Sequence, residues 1–314
     1  MREDMETRRR DLTPDLFGAL KIDETEGERL AGPPVGFWKD SWLRLKQNRG
    51  ALISLGVILL LFVMAFVLGP LLSQYGPFAQ DLTRRYQGPS AEFWFGTDEF
   101  GRDMWSRVWA GTRVSLYIAF LAAFLDIAVG VTYGAVSGFL GGRVDDVMQR
   151  IIEVLVGIPS LVVAILAMVV FEPGIITISI AIGLTGWVYM ARIVRGRMLQ
   201  LKEQEFALAS RSLGASNFRL VWKHLIPNSL GPIIINLMFT IPSAIFAEAF
   251  LSFIGLGIQV PEASLGSLIN EGAGEIKFHP YLLWIPSAVF CLIMICFNLL
   301  GDGLRDAFDP KMRK

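Results

Sequence analysis

A chain of 314 residues that is 53% hydrophobic and 18% charged falls outside the range of soluble globular domains, so the composition points to a membrane protein. Its 29 Lys and Arg balance 29 Asp and Glu, which offers no basic face to nucleic acid and shifts the interest of the charge to its distribution among loops.

Residues 1–36 mix acids and bases with Pro14, Gly32, Pro33 and Pro34 and lack apolar periodicity, which predicts a flexible cytoplasmic tail. From Phe37 to Arg49, Trp38, Trp42 and Leu45 recur at helical spacing among Lys39, Arg44, Lys46 and Arg49. That pattern fits an amphipathic helix at the inner surface and fits equally the start of the first spanning helix.

Six stretches can cross a hydrocarbon core, which takes roughly 20 helical residues. They are Ala51–Leu72, Val114–Phe139, Val154–Phe171, Pro173–Ala191, Pro227–Val260 and Tyr281–Gly301. The third reaches spanning length only with Val147–Glu153 included. The first begins about fifty residues in, too late for a cleaved secretory signal. The fold class is therefore an all-α integral membrane protein. An interfacial and first spanning helix occupy 37–72, an extracytoplasmic loop 73–113, a five-helix core 114–301 and a tail 302–314.

With the N-terminus inside and six alternating helices, the cytoplasmic segments beyond residue 30 hold 17 Lys and Arg against 6 outside, which places both termini in the cytoplasm. His224 and His279 then lie on opposite sides of the membrane, and Cys291 and Cys296 share one apolar helix. No cluster has metal-ligand spacing, and no metal site is expected.

In the outer loop, Thr97 is placed to cap a short helix with Asp98 and Glu99 in its first turn, against the helix-weakening Gly101. In the inside loop, 192–226, Glu205–Leu213 places Phe206, Ala209 and Leu213 on one face, and Gly214 follows where a left-handed cap is favoured. Ser216 or Asn217 can cap a second helix striped by Phe218, Val221, Trp222 and Leu225, up to Pro227. The small residues Ala207, Ala209 and Ser210 beside Gly214 let a partner approach closely. A loop packed only on itself is the alternative.

The run Glu205-Phe-Ala-Leu-Ala-Ser-Arg-Ser-Leu-Gly214, followed after nine residues by His224-Leu-Ile-Pro227-Asn228, resembles the loop by which ABC importer permeases engage their ATPases. Residues Glu205, Phe206, Ala209, Ser210, Arg211, Gly214, Ala215, His224 and Pro227 are the docking positions this resemblance implies. The family's Glu-Ala-Ala core falls on Leu208-Ala209-Ser210, so a salt bridge from position 208 is absent. Four further stretches are similar to the dipeptide and oligopeptide branch: Trp38 to Leu60, Gly96-Thr-Asp-Glu-Phe-Gly-Arg-Asp103, Phe250-Leu-Ser-Phe-Ile-Gly-Leu-Gly257 and Phe297 to Pro310.

The resemblance implies a heteromeric importer in a bacterial cell membrane. Its parts are this subunit, a second similar permease, two ATP-binding subunits and an external solute-binding protein carrying peptide. ATP and Mg would sit on the partners, with no cofactor on this chain. The residues agree on one point: a Walker A loop needs Gly-Lys, and no lysine here follows a glycine.

Asp126 and Glu248 are isolated acids within spanning stretches, and intramembrane ionisable groups are costly enough to be candidates for the translocation path. Asn236 and Asn298 read as interhelical hydrogen-bonding residues, and Pro159, Pro242 and Pro286 as kinks. Import of nickel or another small solute would use the same scaffold. An ion-gradient-driven transporter calls for paired broken helices and clustered midplane ligands, and an enzyme for a grouped nucleophile, base and orienter; the sequence displays neither pattern.

Overall fold

The computed structural model describes residues 36–172 and 174–308. Within them every regular element is helical, and strand-like pairing is confined to a bridge between Thr97 and Asp103. The expectations for residues 1–35 and 309–314 lie outside the described residues.

Helix α1, Phe37–Gln47, starts in a short N-terminal unit ending at Trp42, and the body of the protein starts at Leu43. It stops at Asn48, whose side-chain oxygen accepts the Ala51 N–H at 3.1 Å and caps α2, Arg49–Leu72. Residues 37–47 are thus a helix in their own right. Near its end α2 widens into a π turn, Met64–Leu68, just ahead of Pro70. Proline cannot donate to the preceding turn and its ring crowds the carbonyl four residues back, and the wide turn makes room for it.

The predicted helix after Thr97 does not form. Gly101 takes φ +70°, and the Asp98 carboxylate instead accepts the N–H groups of Phe100 and Arg102 at 2.9 Å each. Helix α3, Met104–Leu140, starts ten residues ahead of the apolar stretch. Its cap is Asp103, which accepts from the Trp105 and Ser106 N–H groups. Gly130, Gly134 and Gly138 of α3 lie against helix α6, Ile175–Leu201. A Cβ on Gly134 would run into the Ala191 carbonyl and come 2.9 Å from Val194.

Helices α4, Gly142–Gly157, and α5, Ser160–Val170, replace the single predicted third helix and meet at a bend of 78°. Pro159 lacks an N–H, and Ile158 before it is extended, as a residue ahead of proline prefers. Helix α6 continues ten residues beyond its predicted end at Ala191. Arg195 is carried by a bidentate pair with Asp145, both contacts 2.6 Å, and Val194 and Met198 are fully buried.

Then come α7, Glu205–Ser212, α8, Asn217–Leu220, a π turn over Val221–Leu225 ahead of Pro227, and α9, Leu230–Phe253. The fifth predicted stretch ran to Val260, but Gly255, at φ +83°, closes α9 early. Helix α10, Leu265–Gly274, is held by a reciprocal Ser264–Ser267 capping box, and α11, Tyr281–Phe308, completes the order. Pro242 and Pro286 lie inside unbroken helices, so of the three prolines only Pro159 interrupts one. Among the described residues five helices are long and apolar enough to span a membrane, or six if the bent α4–α5 pair is one span.

Two of the four buried apolar clusters among the described residues position the hairpin and the spanning helices. One joins α2, α3, α9 and α11 around Ile58, Leu116, Ile245 and Phe297. The other joins the ends of α3 and α6 to the α7–α8 hairpin.

Candidate functional site

The hairpin is built by its caps. After α7 the Gly214 N–H bonds the Arg211 carbonyl at 2.9 Å and the Ala215 N–H bonds Ser210 at 3.0 Å. These two bonds close a Schellman motif around Gly214, whose φ is +81°. Ser216 then caps α8 by accepting the Arg219 N–H at 3.3 Å. Ala207, Leu220 and Leu225 are fully buried against Val131, Phe139, Met190 and Met198. The Arg211 guanidinium lies 5.3 Å from the Phe139 ring centroid, and Lys202 Nζ donates to the Gly138 carbonyl at 2.9 Å. The hairpin is therefore packed onto the ends of α3 and α6.

Its outer side is apolar and exposed. Leu213 is 89% and Phe218 73% accessible, with Phe206, Leu208 and Trp222 exposed beside them. Among the docking candidates Glu205, Phe206, Ala209, Arg211, Gly214 and Pro227 are exposed, while Ser210, Ala215 and His224 are half-buried. Ala207, read as a site of close approach, points into the core. Leu208 and Leu213 are crest residues that the docking positions drawn from the resemblance did not include. The signal for Leu213 was a large apolar side chain adjoining the glycine cap.

A cavity of about 550 Å³ opens between α3, the α4–α5 bend, α6 and α9. Ala122, Ile158, Leu161 and Leu251 are typical of its walls, and Asp126 is its one carboxylate among the described residues. Asp126 Oδ2 accepts from Thr240 Oγ1 at 2.7 Å and from Asn236 Nδ2 at 3.4 Å. Glu248, the other candidate, lies elsewhere. It is 0% exposed, does not line the cavity, and accepts from Ser252 and Ser115 hydroxyls at 2.7 and 2.9 Å. Asn236 reaches across to α3 as its reading required, whereas the exposed Asn298 donates to Met294 of its own helix at 2.8 Å.

Residues 130–314 match the family described as the binding-protein-dependent transport system inner membrane component. Residues 36–89 match the N-terminal transmembrane domain of oligopeptide transport permease C. A dipeptide transport system permease protein, DppC of Bacillus subtilis, is 49% identical over 96% of this chain and 94% of its own length. The chain belongs to this permease family. The permease is also 44% identical to the oligopeptide transport system permease protein OppC of B. subtilis, over 96% of this chain and 98% of that protein. The corresponding Escherichia coli K12 protein is 41% identical, over 92% and 96%. A solved structure titled as an inward-facing conformation of the MetNI methionine ABC transporter shares the fold, with a TM-score of 0.54 at 17% identity over 66% of the permease and 97% of that chain. As a member of this family the chain is a membrane transport component of the bacterial inner membrane, not an enzyme.

The permease carries one further constellation, around its outer segment. Asp98 pairs with two buried guanidiniums, Arg102 at 2.6 Å and Arg107, and Arg107 also donates to both oxygens of Glu271 on α10 at 3.1 and 3.0 Å. Tyr281 at the start of α11 donates to the Thr97 carbonyl at 2.7 Å, and the Tyr86 and His279 rings stack 4.1 Å apart. This network fixes residues 81–103 onto α10 and α11. In the sequence Asp98 reads as a first-turn acid of a capped surface helix, because Glu271 is distant in the chain.

Proposed function

We propose that this permease forms half of the translocation path of an ATP-driven importer of di- or oligopeptides, with its hairpin docked to a separate ATPase. The observation that carries the reading is the exposed crest Leu213–Phe218, set on a hairpin whose other side is fused to the ends of α3 and α6. A push on the crest passes into those helices, and both line the cavity. The peptide cargo is supported by the relatives named as dipeptide and oligopeptide permeases. The companions in this reading are a second permease, two ATP-binding subunits that hold ATP and Mg, and an external binding protein. Both termini and the hairpin lie in the cytoplasm, and the 73–103 segment outside. The docking set is Glu205, Phe206, Ala209, Ser210, Arg211, Gly214, Ala215, His224 and Pro227, extended by Leu208, Leu213 and Phe218. Asp126 belongs to the path. Glu248, enclosed by serines, holds α9 to α3.

The test is purification from the native membrane in mild detergent. Wild type brings down a second permease and ATP-binding subunits. A Leu213→Glu, Phe218→Glu variant keeps the permease partner and loses the ATPases. Wild type that runs alone and transports without ATP overturns the reading.

A further inference from the structure

Asp126 sits in unusual company. It opens a π turn, Asp126–Val131, in the midst of α3, and of the three such turns in the described residues this is the one with no proline behind it. Wide turns without that cause are concentrated at functional sites. The side chain is 2% exposed at the wall of the cavity. Thr240 and Asn236 both address Oδ2, and Oδ1 has no hydrogen-bond partner among the described residues. Among the described residues no Lys or Arg lines the cavity. A carboxylate within a spanning helix is costly unless it meets a cation or a set of donors. Here two neutral donors orient the group and leave one oxygen for something that comes from outside the fold.

We infer that Asp126 is a waypoint for the N-terminal ammonium of a peptide passing through the cavity. An ammonium brings a positive charge and three N–H donors to Oδ1, and every unblocked peptide has one whatever its side chains. The apolar walls ask little of those side chains, so the contact fixes the leading end of the cargo without sorting its sequence. A single charge-assisted contact is weak enough to release the peptide again. The inference rests on the cavity being the path.

The experiment uses the complete wild-type complex in lipid nanodiscs, with the external binding protein omitted so that delivery plays no part. A hydrophobic carbodiimide modifies Asp126, and its rate of labelling is followed by mass spectrometry. Saturating trialanine is expected to slow labelling about tenfold, the scale of one charge-assisted hydrogen bond, while N-acetyl-trialanine leaves the rate unchanged. Equal protection by both peptides overturns the ammonium assignment and keeps the path. Protection by neither also overturns it, and a Ser243→Cys variant on the cavity wall then decides the path itself. If maleimide on that cysteine stops import the path stands, and if import continues it falls. An Asp126→Asn variant should carry trialanine at a reduced rate with ATP hydrolysis still stimulated by the binding protein.

Discussion

Glu248 and Asp126 look alike in sequence, each a lone acid in an apolar stretch, yet their surroundings assign them opposite work. Both oxygens of Glu248 are occupied, by Ser115 on α3 and by Ser252 one turn along α9. Replacing Glu248 by Ala strands these buried hydroxyls and opens a void, a loss of about 2–4 kcal/mol. The melting temperature of the detergent-solubilised complex should fall accordingly. Glu248→Gln keeps both a donor and an acceptor and should recover most of the loss; equal melting of the Ala and Gln variants would count against a structural role. The sequence could show that both acids were costly but not which had partners. Ser252 lies at a helical spacing of four and was visible, whereas Ser115, 133 residues away, was not. The same distance hid the pairing of Arg107 with Glu271.

At the level of elements, legibility followed local chemistry. The hairpin was readable because its caps are local: Gly214, Ser216 and Pro227 each act on the backbone within a few residues. Helix ends set by tertiary contacts were not. Helix α6 passes Ala191 because Asp145 neutralises Arg195 from another helix, and although the Asp103 cap of α3 is local, Arg107 in its first turn is sheltered by Asp98 and by Glu271 of α10. At Gly214 a branched side chain is held in a left-handed conformation that costs about 1–2 kcal/mol. Gly214→Val is therefore expected to raise hydrogen exchange at the α7 and α8 amides while leaving α9 protected. Unchanged exchange across the hairpin would mean the Schellman motif does not hold it.

For the whole molecule, six apolar crossings were evident from hydropathy, although one of them is a bent pair. Orientation rests on the loop charges, 17 against 6, and labelling can check it. In a Cys291→Ser background, Glu203→Cys should react with a membrane-impermeant maleimide only after the cells are opened, and Phe278→Cys in intact cells. Both positions are exposed, so the reverse pattern would invert the topology. The cavity was invisible to sequence reading because its walls come from α3 to α6 and α9, and apolar residues facing a path look the same as those facing lipid.

The wide turn at Asp126 also sets the phase of the remainder of α3. One surplus residue in a helix of 3.6 residues per turn rotates the C-terminal part of that helix by about 100°. Gly134 and Gly138 come after that offset, and they meet α6 where a Cβ has no room. Winding α3 regularly with every residue kept would turn this glycine row away and bring bulkier side chains to the seam, whereas deleting one residue such as Ile127 removes the surplus and the wide turn together and leaves the row in place. The permease should thus keep this seam when one residue of the wide turn is removed, and lose it when one is added beyond the turn, although both changes leave the composition almost untouched.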